Sequence, residues 1–468
     1  MHETINFSLS QRANHLSTHF YNAQESYLSY TKPASETPND PNVFFKPTRS
    51  NGTVSYTPRA LLWDMNGGFG SLGQFEYFPQ STDGDDAVGN VIKRERVPKS
   101  KYQTALDEGQ PLPKLNKEDT RYWSDYSRVI FEPKSYNVLQ KWEFDPVKYP
   151  KGRLAMGQER EFVGYDLGVE EWKNDYTGVE FLEDKYRVAL EECDLVNGLN
   201  VVSEIDSAWG GFSSELLSEL RDDYNPKTSI FTWGLYDGRN MQSLSIKEKI
   251  SRIRTFLELQ KNSSLFFPLG IPKNTPVGFD PTCLWQVTGL QNMIFESVQV
   301  LGSQRENNIN FHTIESNFKL GSNRHLVGSI EATVGSTTYN FNNTFFPTAK
   351  EPHTFSTSTI HRPSQLSGEP LEVQASTSKD RTTTNYITTQ AFPIADSYPP
   401  DLISSQDNLT VTLKSTSAPR KSLQEMKTYV SKFIKGDERA DMINDLETLA
   451  AEYEHGWTDS DDDSDDDY

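Results

Sequence analysis

Three junctions along the chain carry residues that can contact a ligand. Gln11-Arg12-Ala13-Asn14 follows TINFSLS at 4–10, where Ile5, Phe7 and Leu9 alternate with polar residues as in a half-buried strand. Asp64 closes the apolar run Ala60-Leu61-Leu62-Trp63, of the kind found in buried parallel sheets. Trp209-Gly210-Gly211 follows a strand-like segment, 198–202, and opens a helix carrying Leu216, Leu217 and Leu220. In doubly wound sheets, ligands sit at the carboxyl ends of strands, where loops meet helix N-termini. Arg12 there meets a phosphate or pairs with a nearby acid. Asp64 binds a ligand or caps a turn. Gly210 and Gly211 face an anion or serve helix–strand packing. His15 and His19 form an i, i+4 pair with no third ligand beside it, so no metal site is expected. No Gly-x-Ser-x-Gly elbow, Cys–His arrangement or clean Walker loop is present, and no catalytic residue is nominated.

These junctions need an open, mostly parallel sheet to bring them together. Helical spacing at 181–192 precedes the 198–202 strand, and further strands are expected at 229–233 and 265–269 with a helix between them. A Pro- and Gly-rich stretch from 268 to 281 marks a boundary. Beyond it lie a helix at 284–301, paired strands at 326–347 and loops rich in Ser, Thr and Pro. Two closing helices follow, the first lined by Leu423, Met426, Val430 and Phe433 and ended by Gly436. The expected division is 1–275, with a polar insertion near 80–120, then 276–415, helices at 416–456 and a disordered tail at 457–468.

The 468 residues carry a formal net charge of -20, so the basic footprint of a nucleic-acid binder is missing. Lys93, Arg94, Arg96, Lys99 and Lys101 form the densest basic cluster and read as a solvated loop in preference to a contact patch for acidic tails or anionic lipid. Two cysteines, Cys193 and Cys283, exclude a disulfide framework and fit a reducing compartment. With no h-region, no Arg-rich presequence and no run of 18 apolar residues, a soluble chain is expected, peripheral to any organelle. The tail holds seven Asp residues around Ser460 and Ser464. It reads as a solubilising tail, or as the substrate of an acid-directed kinase at those two serines.

The opening MHETINFSLSQRANHLSTHFYN resembles the first strand, phosphate loop and helix of tubulin, with Gln11 and Asn14 kept and tubulin's glycines replaced by Ser10, Ala13 and Ser17. YTPRALLWDM at 56–65 is similar to tubulin's Pro-Arg-Ala strand and following Asp. From Cys193 to Tyr224, the residues Cys193, Asp194, Gly198, Arg221, Asp222, Asp223 and Tyr224 hold tubulin's places in order. Within that superfamily the chain resembles the Misato family in its fungal form, through SQRANHLSTHFYN, PRALLWDM, RYWSDYSRVIF at 121–131 and LELQKNSSLFFPLG at 257–270. The resemblance covers residues 1 to about 270. It implies an α/β tubulin-like domain of the GTPase type with a mostly parallel sheet, then a divergent α+β second domain and C-terminal helices.

By the same resemblance, Ser10, Gln11, Arg12, Asn14, Asp64, Ser207, Gly210 and Gly211 mark a vestigial nucleotide site. Tubulin's glycine-rich phosphate loop falls at Ile205–Gly211, which here reads Ile-Asp-Ser-Ala-Trp-Gly-Gly. Asp206 beside a polyphosphate costs about 4 kcal/mol for one like-charge pair at about 4 Å and an effective dielectric near 20. Each non-glycine residue held at φ > 0 adds about 1 kcal/mol. A magnesium held by Asp64 or Asp206 offsets part of this. No certain cofactor is expected, with GTP binding at most weak and no hydrolysis, and Ser251 stands where tubulin reads guanine with Asn. Family membership implies partitioning of mitochondria, inheritance of mitochondrial DNA, and mitochondrial distribution and morphology. It implies protein partners at the mitochondrial surface and a mitochondrial and cytoplasmic location. Two alternatives stand beside this role: a tubulin-fold cofactor working with cytosolic chaperonin or tubulin, and an active filament-forming GTPase.

Overall fold

The alternating opening segment forms β1 (Glu3–Leu9), and α1 (Gln11–Glu25) follows after one residue. In the computed structural model, which describes residues 2–29, 37–50, 53–74, 97–155, 160–174, 177–365 and 382–456, β1 is buried on both faces rather than one. The reason is its place at the centre of a sheet covered by helices on each side. Its polar residue Asn6 is accommodated by hydrogen bonds, donating to Tyr21 (2.7 Å) and accepting from Asn200 (2.8 Å). Lys93, Arg94, Arg96, Ser460 and Ser464 lie outside the described residues.

A hairpin of β2 (Phe45–Ser50) and β3 (Thr53–Pro58), not anticipated from the sequence, leads into β4 (Ala60–Asn66). With β5 (Tyr136–Asp145), β6 (Tyr149–Leu154), β7 (Val196–Glu204), β8 (Ser229–Leu235) and β9 (Leu265–Leu269), the main sheet has seven strands. They run in the order β6-β5-β4-β1-β7-β8-β9, parallel except for the β5–β6 hairpin. Part of the stretch expected to be a polar insertion forms α2 (Lys101–Asp107). There Tyr102 is buried against Tyr126 and Trp285.

On one face of the sheet lie α3 (Tyr165–Lys173), α4 (Thr177–Glu180) and α5 (Arg187–Glu191), the last two joined by a π turn at Phe181–Tyr186. The same face carries α6 (Trp209–Glu219) and α7 (Ile246–Asn262). On the other, α1 packs beside α8 (Leu284–Ser303), which is buried along nearly its whole length, and α9 (Phe311–Lys319). The far side of α8 meets a second sheet of β10 (Ser329–Val334), β11 (Thr337–Asn340), β12 (Thr354–Arg362), β13 (Thr383–Ile387) and β14 (Leu409–Thr416). Its order is β11-β10-β14-β12-β13, antiparallel except between β12 and β13. Glu296 of α8 and Arg362 of β12 form an ion pair with no solvent exposure. Tyr27, just beyond α1, donates to Glu296 (2.8 Å) and accepts from Arg362 (2.6 Å), so one polar knot ties α1, α8 and the second sheet.

The chain closes with α10 (Ala418–Phe433) and α11 (Asp437–Glu452), which cover α7. Leu423, Met426 and Val430 are buried as their spacing requires, but Phe433 is exposed at the helix end. Gly436 does not terminate α10. It sits at φ 91° as the cap that starts α11, a conformation open to glycine without strain.

His15 and His19 are both buried between α1, α8 and the turn at Trp123–Tyr126. His19 Nε2 donates to the Trp285 carbonyl (2.9 Å), and His15 Nδ1 bonds the Tyr126 hydroxyl (2.8 Å). Burial lowers each to about 3, His15 also through the neighbouring His19. The unfolded chain therefore takes up protons near pH 6.5 that the folded chain refuses. Their contribution to stability is full above that pH and is lost as pH falls towards 3. The urea midpoint should fall between about pH 7 and about pH 5, and a His15→Gln/His19→Gln variant should lose part of that slope. An unchanged slope in the variant would contradict the assignment.

Candidate functional site

At the carboxyl ends of β1, β4, β7 and β8 the loops enclose a cavity of about 580 Å³. Gln11 and Arg12 reach it from the start of α1, Asp64 from β4, and Glu204, Asp206 and Ser207 from the end of β7 and the loop before α6. Asp237 and Arg239 follow β8, and Lys247, Glu248 and Ser251 belong to α7. Lys151 and Glu161 complete the charged lining. Six carboxylates thus line it against four cations, an unfavourable wall for a polyphosphate.

Ser10 keeps a backbone conformation suited to glycine, φ 122° and ψ 164°. Its hydroxyl accepts from the Ala13 N–H (3.2 Å), so an N-cap offsets part of the strain. Asp64 is 1% exposed, and its carboxylate is consumed internally. It accepts from Gln11 Nε2 (2.9 Å), Asn14 Nδ2 (3.0 Å), Trp123 Nε1 (3.2 Å) and the Met65 N–H (2.8 Å). Burial pushes this carboxyl up to about 7 against the pull of those donors. A Cβ on Gly68 would lie 2.3 Å from the same carboxylate, so glycine is required for this close approach. Asp64 is therefore the joint between β4, α1 and the Trp123 turn.

The 205–208 loop is organised by an acid too. Asp206 Oδ1 accepts from Arg252 Nε and Nη2 (each 2.6 Å), and its Oδ2 accepts from the Asp237 N–H (2.9 Å). Arg252 is 1% exposed, donates to the Arg239 carbonyl (2.8 Å) and pairs also with Asp237 (3.3 Å). Burial raises Asp206 against the field of Arg252, whereas the donors around Asp237 outweigh its burial and lower it.

Gly210 and Gly211 lie inside α6, away from the cavity lining. A Cβ on Gly210 would meet the Thr255 side chain of α7 at 2.4 Å. One on Gly211 would meet the Tyr165 carbonyl of α3 at 2.0 Å. These glycines permit helix–helix contact, not the helix–strand packing expected.

Among the described residues Arg12 has no ion-pair partner. Its Nε and Nη1 are buried without a partner, and Glu204 is the acid whose titration it opposes. The Ser207 and Ser251 hydroxyls and Gln11 Oε1 also lack partners. Among the sequence candidates, Gln11, Arg12, Asp64 and Ser207 line the cavity, whereas Ser10 and Asn14 support it from behind. Asp237, Glu204 and Arg252 were not singled out from the sequence. The one available signal for Arg252 was a charge beside Ile253 on the buried arc of α7. Among the described residues no group of three or more His, Cys, Asp or Glu could hold a metal ion, and no helix is long and apolar enough to cross a membrane.

The remaining motifs are structural. Trp123 and Tyr126 are fully buried. Arg221 donates to the carbonyls of Asn225 (3.0 Å), Thr228 (2.9 Å) and Asn262 (2.9 Å), tying the turn before β8 to the end of α7.

A family model described as the Misato Segment II tubulin-like domain matches residues 2–108, and one described as a tubulin domain matches residues 112–304. Together they take in the main sheet and α8. "Protein DML1" of Yarrowia lipolytica is 32% identical over 489 residues, covering 100% of both chains. "Protein DML1" of Kluyveromyces lactis is 33% identical over 494 residues, covering 99% of each. "Protein dml1" of Aspergillus niger is 29% identical over 506 residues, covering 100% of each. With two tubulin-type segments in sequence and full-length relatives above 30% identity, the chain belongs to the Misato/DML1 family of tubulin-like proteins.

Proposed function

We propose that this chain is a non-catalytic tubulin-like protein that serves the partitioning of mitochondria and the inheritance of mitochondrial DNA, and with them mitochondrial distribution and morphology. The observation that carries the non-catalytic part is Asp206. Its carboxylate sits in the loop that corresponds to tubulin's phosphate loop and already takes up the guanidinium of Arg252 and the Asp237 N–H. Asp64 is likewise engaged by four N–H donors, three on Oδ2 and one on Oδ1, which weakens it as a magnesium ligand. The mitochondrial part rests on the resemblance to the Misato family. The net charge of -20 favours action through protein partners on the cytosolic face of the organelle over contact with its DNA.

The competing reading is an active GTPase. It draws on the size of the cavity and on the unpartnered donors of Arg12, Ser207 and Ser251. Melting in millimolar GTP and magnesium separates the two, since a ligand at about 100 times its Kd adds about 2.7 kcal/mol of stability. An unchanged melt with no phosphate release is expected, and a clear shift with turnover would favour the GTPase. Depletion in the protein's own cells should leave daughters without mitochondrial DNA while spindles stay normal. Normal mitochondrial inheritance together with loss of tubulin would point instead to a chaperonin cofactor.

A further inference from the structure

Arg252 is not part of the cavity wall; Asp206 and Asp237 are, and they stand between it and the open space. One guanidinium thus serves two carboxylates, and the fit is closest at Asp206, whose two oxygens take the arginine on one side and a backbone N–H on the other. This is the donor set that would receive a free oxyanion, one guanidinium edge and one amide. Tyr236 flanks Arg252, with its ring centre 5.4 Å from the guanidinium carbon, and Arg239 pairs with Asp237 and with Glu248 (3.0 Å). Asp206, Asp237, Arg239 and Glu248 are thus each paired within the chain.

We propose that Asp206 is a tethered anion: it fills an oxyanion site formed by Arg252 and the Asp237 N–H, and so orders the β7–α6 loop with no ligand. Being covalently attached, it competes with a dissolved anion at a high effective concentration. The native site is closed to phosphate and carboxylate for that reason. The arrangement also predicts what its loss would do. Without Asp206 the guanidinium is left buried beside Asp237 alone, and a small oxyanion can take the vacated place. This deepens the nucleotide-free reading and rests on it. The wild-type melt in GTP decides that reading, whereas variant chains decide this one.

The test uses full-length Asp206→Ala and Asp206→Asn, melted in phosphate, acetate or chloride at matched ionic strength. Both variants should melt below the wild type, and phosphate or acetate should restore part of the loss in a saturable way. Chloride should not, the wild type should show no such response, and Arg252→Gln in the Asp206→Ala background should abolish the recovery. Should Asp206→Ala fail to fold, Asp206→Asn carries the test. Should neither fold, refolding yield with and without phosphate reads the same competition. Absence of oxyanion-specific recovery in both variants, or recovery that survives Arg252→Gln, would overturn the proposal.

Discussion

The contact between Asp206 and Arg252 sets the character of this molecule, because it fixes the loop where a tubulin-type sheet would meet its ligand. A buried ion pair is not a strong source of net stability, since both charges must be desolvated. Its consequence is geometric. Through Arg252 the loop after β7 is tied to α7 and to the carbonyl of Arg239 after β8, so three elements close on one guanidinium. Removing Arg252 would leave Asp206 without its cation, at a typical cost of about 3–5 kcal/mol, whereas removing Asp206 leaves Arg252 its contact with Asp237 (3.3 Å).

The same inward turn recurs at the first two junctions. Asp64 binds Gln11, Asn14 and Trp123, which join β4, α1 and the 123–126 turn. Ser10 retains a glycine-like φ while its hydroxyl caps α1. Polar groups that a ligand would otherwise engage are bonded to each other, and the loops hold their shape without one. Gly210 and Gly211 persist for a separate reason, the close passage of α6 between α3 and α7. The cavity that remains has mixed charge and a few unpartnered groups, Arg12 among them.

Much of this frame could be read in the sequence. The apolar runs at 60–63 and 265–269, and the alternation of strands with helices, gave a parallel sheet directly, since such strands carry no competing signal. The β2–β3 hairpin was not legible, because Lys46, Pro47 and Thr48 offer no buried face to set a period of two. Phe433 followed the helical spacing of Leu423, Met426 and Val430 yet lies where the helix ends and its neighbour no longer covers it. In the site, Asp206 was visible as a carboxylate in a phosphate loop. Its partner was not, since Arg252 comes from a helix 46 residues later and only the fold brings the two together. Gly210 and Gly211 were legible as a need for close approach but not as to which element approaches.

The decisive measurement is the nucleotide content of natively purified protein, released by heat and separated by chromatography. An empty protein is expected, with guanine nucleotide far below one per chain. Stoichiometric GTP or GDP would contradict it, because the loop held by Asp206 and Arg252 would then be cradling a polyphosphate.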